Sequence, residues 1–143
     1  MAYCTETDIK LEFKNIVWDT SGGIAAATVT KFCEEDSSII DAYVAFKYIL
    51  PITGTASLSI CKRINIALTS YRVKTILHVK NIDVLSQKEG LKDEYEWAMQ
   101  FLMDIKNGDA ILPDSPVSGT SQTTDRVFYK ASAQIFDKGK EQW

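Results

Sequence analysis

The stretch that decides the fold class is Tyr95-Glu-Trp-Ala-Met-Gln-Phe-Leu-Met-Asp-Ile-Lys-Asn-Gly108. With the residue four places before it, it carries an apolar series in alternating steps of four and three: Leu91, Tyr95, Ala98, Leu102 and Ile105. This is the spacing of one face of an α-helix. Gly108 follows, and glycine is the usual residue for the left-handed cap that ends a helix. The pattern predicts a helix from about Leu91 to Asn107.

A second amphipathic stretch lies upstream and has its own stop signal. Its apolar residues at helical spacing are Val29, Phe32, Cys33, Ile40, Tyr43 and Val44. Pro51 disfavours helical geometry at Leu50, because the proline ring crowds the backbone of the residue before it. The sequence therefore predicts a helix that begins between Ala25 and Thr30 and runs to about Tyr48.

Two further helices are predicted around these. Thr5 and Asp8 form a capping-box pattern, with Asp in place of the usual Glu or Gln. It predicts a first helix that carries three residues inward, Ile9, Phe13 and Ile16, until the residues 19–23 break it. A third helix is predicted from near Ser57 to about Lys80. Its apolar residues lie on two faces, so it is either central in a bundle or also in contact with a partner subunit.

These four elements predict an all-α protein, with an antiparallel four-helix bundle-like domain over residues 1–112. Residues 113–143 form a tail of different character. Residues 113–125 are rich in Pro, Gly, Ser and Thr, which predicts a flexible linker. The segment after it turns apolar again and is expected to form a short strand or hairpin. Its docking candidates are Arg126, Val127, Phe128, Tyr129, Ile135 and Phe136.

The apolar tail segment has two possible binding sites. It either reaches a neighbouring subunit or virion partner, by strand addition or groove docking, or it folds back on its own helices. The sequence leaves both open. On the first alternative, Arg126 would pair with an acidic group of the neighbour.

Charge is segregated along the chain, although its net value is only -3. Residues 42–82 carry six basic residues and no acidic one, whereas residues 1–41 carry eight acidic residues and three basic ones. Such a division suits electrostatic complementarity, either within the chain or between copies of it. The candidates for contact between copies are the basic Lys62, Arg63, Arg72 and Lys74 and the acidic Glu34, Glu35, Asp36, Glu94 and Glu96.

Catalytic and metal-binding residues are few. His78 is the one histidine of the sequence, so neither a His-based triad nor a multi-His metal site is expected. Ser21-Gly22-Gly23 lacks the Gly-Lys-Ser/Thr of a phosphate loop. Cys4, Cys33 and Cys61 form no Cys-x-x-Cys pair and are expected to be reduced and partly buried. We expect no enzymatic activity, no metal site and no cofactor.

Membrane association and sequence-specific DNA binding are also not expected. No apolar run approaches the roughly 20 residues that span a bilayer, and the first residues lack the pattern of a signal peptide, which favours synthesis in the cytoplasm. The sequence shows no helix-turn-helix spacing, zinc finger or RNA-binding aromatic motif. A DNA-packaging accessory protein that binds nucleic acid through the third helix is kept as an alternative function.

The order of several motifs resembles the Mu-like bacteriophage family of small virion proteins. The matching motifs are Ile-Asp-x-Tyr-Val-x-x-Lys-Tyr-x-Leu-Pro over residues 40–51, Tyr71-Arg72, Tyr-Glu-x-Ala-x-x-x-Leu-x-Asp-Ile-x-x-Gly over residues 95–108, the following Leu112-Pro113, and Arg126-x-Phe128. Members of that family are similar in helical pattern to the head–tail connectors of long-tailed phages.

The resemblance implies a structural role in the virion neck, the junction of head and tail. It implies a ring of copies, twelve by analogy, beneath the portal protein, with a tail or stopper protein below and genome DNA passing through without specific binding. Heterologous contacts would close such a ring. The alternative within the same class is a tail-completion or stopper protein. Assembly would take place in the host cytoplasm.

Overall fold

The protein is built from α-helices, as the sequence predicts. The computed structural model describes residues 2–13, 18, 23–79 and 90–118. Within these residues the helices are α1 (Glu6–Glu12), α2 (Ala26–Val44), α3 (Thr55–Val79) and α4 (Leu91–Asn107). The described part of the chain contains no strand, and its one β-type contact is a bridge between Tyr48 and Val117. The all-α prediction is confirmed.

The ends of two helices follow local sequence signals. The Thr5 hydroxyl accepts from the Asp8 amide, and the Asp8 carboxylate accepts from the Thr5 amide, so the predicted capping box begins α1. Gly108 ends α4 with φ at 91°, in the left-handed region that favours glycine. The predicted bounds of α4 are those observed.

The predicted C-terminal ends of α1 and α2 need correction. α1 ends at Glu12, and Ile16 lies outside the described residues. α2 ends at Val44 rather than near Tyr48. The reason is a tertiary contact: the Ile49 amide donates to the Pro116 carbonyl, and the Ser118 amide donates to the Lys47 carbonyl. The Lys47 and Tyr48 amides still close a turn on the Val44 carbonyl, and the pairing with the distant segment takes over beyond that turn.

α3 is the central helix of the body, as the first of the two predicted alternatives for its apolar faces requires. It packs against α1, α2 and α4. One face contributes Ile64 and Leu68 to a core shared with the C-terminal halves of α2 and α4. The other face contributes Val73 and Leu77 to a second core, shared with α1 and the N-terminal half of α2. α3 is therefore antiparallel to both α2 and α4.

The first part of the tail is bound to the body, which corrects the prediction of a flexible linker from Pro113. The Asp114 carboxylate accepts from the amides of Ala56 and Ser57, at 2.8 and 2.9 Å. A carboxylate is favoured there because the first amides of a helix lack intrahelical partners. Gly54 lies so close to Asp114 that an added Cβ would meet the Asp114 carbonyl oxygen at 2.5 Å. The predicted docking residues 126–136 lie outside the described residues.

Candidate interaction surface

One end of the helical body exposes large apolar side chains. Phe46 is 69% exposed and Ile111 is 68% exposed, and Ile49 and Leu50 are also exposed. We call these four residues the apolar end. A monomeric protein rarely leaves several large apolar side chains uncovered in one region, and such surfaces are typical of sites that bind another protein.

Helix direction explains why these residues meet. Because the neighbouring helices are antiparallel, α2 and α4 finish at the end of the body where α3 begins. Phe46, Ile49 and Leu50 lie in the connection from α2 to α3, and Ile111 follows α4. The Leu112 amide donates to the Tyr48 hydroxyl at 2.8 Å, which holds the two connections together.

Basic side chains flank the apolar end. The Lys106 ammonium lies 4.7 Å from the centroid of the Phe46 ring, a distance at which a cation is attracted to an aromatic face. An added Cβ on Gly108 would meet the Lys47 ammonium at 2.5 Å, so this lysine crosses the C-terminal cap of α4. The described chain leaves the body at this end too, since Ser118 bonds to Lys47.

Three of the predicted contact residues pair within one chain. The Arg72 guanidinium donates to Glu35 at 2.6 Å and to Asp36 at 2.7 Å. Partial burial opposes charge on Arg72, but the bonds to both acids outweigh it and raise its pKa. The bond from Arg72 holds the pKa of Glu35 below its usual value. The charges of these three residues are therefore paired within one chain, which is one of the two alternatives that the charge segregation left open.

Asp36 belongs to a buried row of polar side chains between α2 and α3, which we call the polar seam. Its members are Asp36, Ser37, Asn65 and Thr69. Asp36 is 2% exposed and accepts from the Thr69 hydroxyl at 2.8 Å. The Asn65 amide donates to the Ser37 hydroxyl and to the Cys33 carbonyl. Asp36, a candidate for contact between copies, is thus buried, because this position of α2 faces α3.

Lys62 is also engaged within the chain. Its ammonium lies 2.8 Å from the Asp8 carboxylate, which joins α3 to α1. The bond from Lys62 is the main cause that lowers the pKa of Asp8. Arg63, the next residue, lies with its guanidinium carbon 5.3 Å from the centroid of the exposed Trp97 ring. Lys62, Arg63, Glu94 and Trp97 line one cavity of about 350 Å³.

The remaining predicted contact residues are spread over the surface. Glu34 is exposed on α2, Lys74 is half-buried on α3, and Glu96 pairs with Lys92 on α4 at 3.5 Å. The structure does not bring these residues together. A role for any of the nine charged candidates in contact between copies stays a prediction.

Among the described residues, no group of three or more His, Cys, Asp or Glu side chains is placed to hold a metal ion. Two of the cysteines are in contact, with Cys4 Sγ 3.2 Å from Cys33 Sγ. Cys4, Cys33 and Cys61 are free and buried. Burial raises the pKa of Cys61 to about 11, so this thiol is protonated at neutral pH. No helix in the described part of the chain is long and apolar enough to cross a membrane.

The comparison with protein families decides the identity of this body. A family model described as Bacteriophage Mu, Gp36 matches residues 3–130. The chain belongs to the bacteriophage Mu Gp36 family. The resemblance seen in the sequence is therefore confirmed at the level of the family. The chain gives no significant match to a curated protein or to a solved structure.

Membership of the Mu Gp36 family makes this a phage protein related to virion components. The family match covers all four helices, the bound start of the tail and the docking candidates from Arg126 to Tyr129. Both the apolar end and the beginning of the apolar tail segment thus lie inside the region that matches the family.

Two contacts of the site were missed in the sequence. Asp114 was assigned to a flexible linker, although Pro113-Asp114-Ser115-Pro116 is a turn-forming sequence that places a carboxylate in a fixed loop. Tyr3 donates a short hydrogen bond to Asp41. Burial of Tyr3 and this bond raise its pKa. The sequence does not show the partner of either side chain, because each contact joins residues far apart in the chain.

Proposed function

We propose that this Mu Gp36-family protein is a structural component of the virion neck, a head–tail connector. The observation that carries the proposal is the apolar end. A small helical body that exposes Phe46, Ile49 and Ile111 in one region needs a protein neighbour to cover them. A ring of copies beneath a portal supplies such neighbours at the side, above and below.

The position of the tail supports the same role. Ser118 leaves the body beside Lys47, so the remaining residues start from the end that is apolar. In the proposed ring, copies make heterologous contacts with one another, and the apolar end meets the portal protein or the next tail component. Twelve copies is the number that the connector analogy implies. A tail-completion or stopper protein would use the same surface against a different neighbour.

The DNA-packaging alternative has less support. It requires the basic residues of α3 to face phosphates. Lys62 and Arg72 are instead paired with Asp8, Glu35 and Asp36 of the same chain. The chain is also acidic overall, which weakens attraction to a polyanion. We expect no enzymatic activity and only weak, salt-sensitive DNA binding.

Deletion of the gene from its phage tests the proposal. A connector mutant is expected to accumulate DNA-filled heads and separate tails. An epitope-tagged copy should restore joined particles, and gold-labelled antibody should lie at the neck in negative-stain images. Heads without DNA would instead favour the packaging alternative. Label along the tail or over the capsid would contradict a place in the neck.

A further inference from the structure

A groove of about 620 Å³ runs along the body between α2 and α4. Its lining is mainly apolar and aromatic: Ile39, Tyr43, Leu68, Tyr71, Tyr95 and Met99. Leu68 of α3 is buried and forms the floor. The rings of Tyr71 and Tyr95 stack on one wall with centroids 4.6 Å apart. Aromatic clefts of this size are typical of sites that bind a peptide or another apolar group.

The described part of the tail ends close to the groove. Val117 forms an antiparallel bridge with Tyr48, in the connection that follows α2. At Ser118 the tail lies beside Lys47, four residues from Tyr43 at the near end of the groove. The described tail therefore ends beside one end of the groove, and the apolar segment begins a few residues later in the sequence.

The length of the tail fits the distance. The α2 wall of the groove extends from Tyr43 back to Glu35, which is about 12 Å at 1.5 Å per residue. Arg126 is the eighth residue after Ser118, and eight extended steps along the chain reach up to about 26 Å. The apolar segment from Arg126 to Phe136 is thus long enough to enter the groove of its own subunit.

The chemistry of the groove suits Val127, Phe128 and Tyr129. Ile39 and Met99 offer apolar contacts, and the stacked tyrosines offer aromatic faces, to which a Phe or Tyr ring binds by offset or edge packing. The acidic group at the rim is already paired, since Glu35 bonds to Arg72 and lies 3.8 Å from Lys31. Binding would therefore rest on apolar contact rather than on an ion pair with Arg126.

We infer that the groove binds the apolar tail segment of the same chain, with Phe128 among its anchors. Sequence alone left this segment to either a neighbour or its own helices, and the position of Ser118 beside Lys47, near the groove residue Tyr43, favours the second. A tethered segment has a high effective concentration at its own groove. The groove is then a closed contact within each subunit, and the apolar end is left as the surface for neighbours.

The test uses the full chain with its methionine methyl groups labelled with carbon-13. Met99 lines the groove, whereas Met103, one turn further along α4, does not and serves as the control. Phe128→Ser should move the Met99 methyl resonance and leave that of Met103 in place. Gln134→Ser, a polar substitution in the same segment, should move neither. An unchanged Met99 resonance in Phe128→Ser, or equal changes at both methionines, would overturn the inference.

A mixing experiment separates the chain's own tail from that of a second copy. Labelled Phe128→Ser protein is mixed with an excess of unlabelled natural protein. If each tail occupies its own groove, the Met99 resonance of the variant does not change. Its return to the natural position would show that tails of other copies fill the groove, and would overturn the inference. The experiment contains no phage particles, so either result is independent of the proposed function.

Discussion

The polar seam and the apolar end reverse the usual distribution of side chains between interior and surface. In the seam, Asp36 and Thr69 are buried and bonded to each other between α2 and α3. At the apolar end, Phe46 and Ile111 are more than two-thirds exposed. The bonds of the seam are all made inside one chain, whereas the apolar end has no equivalent cover in the described residues.

The difference shows which region is complete in the single chain. Buried polar groups are costly unless they are hydrogen-bonded, and those of the seam find partners at fixed points of both helices. They therefore set the alignment of α2 against α3. The apolar side chains at the end of the body are stabilised only when another surface covers them and removes them from water. Substitutions in the two regions should separate stability from assembly.

The largest loss of stability is expected from Asp36→Ala. It leaves the Thr69 hydroxyl and the Arg72 guanidinium without their buried acceptor. Removal of one partner from a buried charged pair costs about 3 kcal/mol or more, and the partial exposure of Arg72 reduces this to about 2–3 kcal/mol. Urea unfolding followed by circular dichroism measures it. Glu34→Ala, at the exposed neighbouring position, should stay within about 0.5 kcal/mol of the natural protein. Equal losses of unfolding free energy in the two variants would contradict a stabilising role of the polar seam.

A smaller loss is expected from Gly54→Ala. The added methyl group would collide with Asp114 and push the start of the tail away from α3. Such overpacking costs typically about 1–3 kcal/mol. Hydrogen exchange should show faster exchange of the Ala56 and Ser57 amides, which donate to Asp114. Thr53→Ala, at an exposed position one residue earlier, should leave both amides unchanged. If exchange of these amides is unchanged in Gly54→Ala, the start of the tail does not lie against Gly54 and the first turn of α3.

Acid titration sharpens the role of Asp114. Hydrogen bonds from the Ser57 hydroxyl and from the Ser57 and Ala56 amides lower its pKa. A carboxylate whose pKa is lower in the folded state stabilises the fold above the unfolded value of about 3.9, and this stabilisation is lost as pH falls through the folded pKa. Asp114→Asn should therefore unfold at a lower temperature than the natural protein at pH 7. The difference in unfolding temperature between the two proteins should become smaller in acid. A difference that is independent of pH would contradict the hydrogen bonds from Ala56 and Ser57 to the Asp114 carboxylate.

The smallest change in stability is expected from Phe46→Ser, although it removes a large aromatic side chain. Phe46 is mostly exposed in the single chain, so its loss uncovers little of the core. Thermal unfolding should match that of the natural protein within about 0.5 kcal/mol. A loss as large as that of Asp36→Ala would show that Phe46 belongs to the core and that the apolar end is not a free surface.

Local signals in the sequence predicted local structure well. The capping box of Thr5 and Asp8 and the glycine cap of α4 each depend on residues within one or two turns, and both were found where expected. The early end of α2 depends on residues 116–118, and the capping of α3 depends on Asp114, 57 residues after Ser57. Such contacts form only once the helices have packed, so no spacing in the sequence announces them.

The candidate site was predicted less well than the fold. Charge segregation suggested contacts between copies, but Arg72 and Lys62 find their acidic partners in their own chain. Phe46 fell within the predicted helix that runs to about Tyr48, but the sequence does not show which side chains a bundle leaves uncovered. The apolar end became visible only from the exposed area of each side chain in the folded body.

The central claim is that the apolar end binds a neighbour in the virion. The most direct measurement is the amount of Phe46→Asp, Ile49→Asp protein found in phage particles when it replaces the natural chain. We predict a folded variant that is absent from purified particles and does not restore infectivity, since buried aromatic anchors of interfaces contribute about 2 kcal/mol or more each. Leu11→Asp, which alters an exposed apolar residue of α1 away from this end, should enter particles normally. Normal entry of the double variant would contradict the claim.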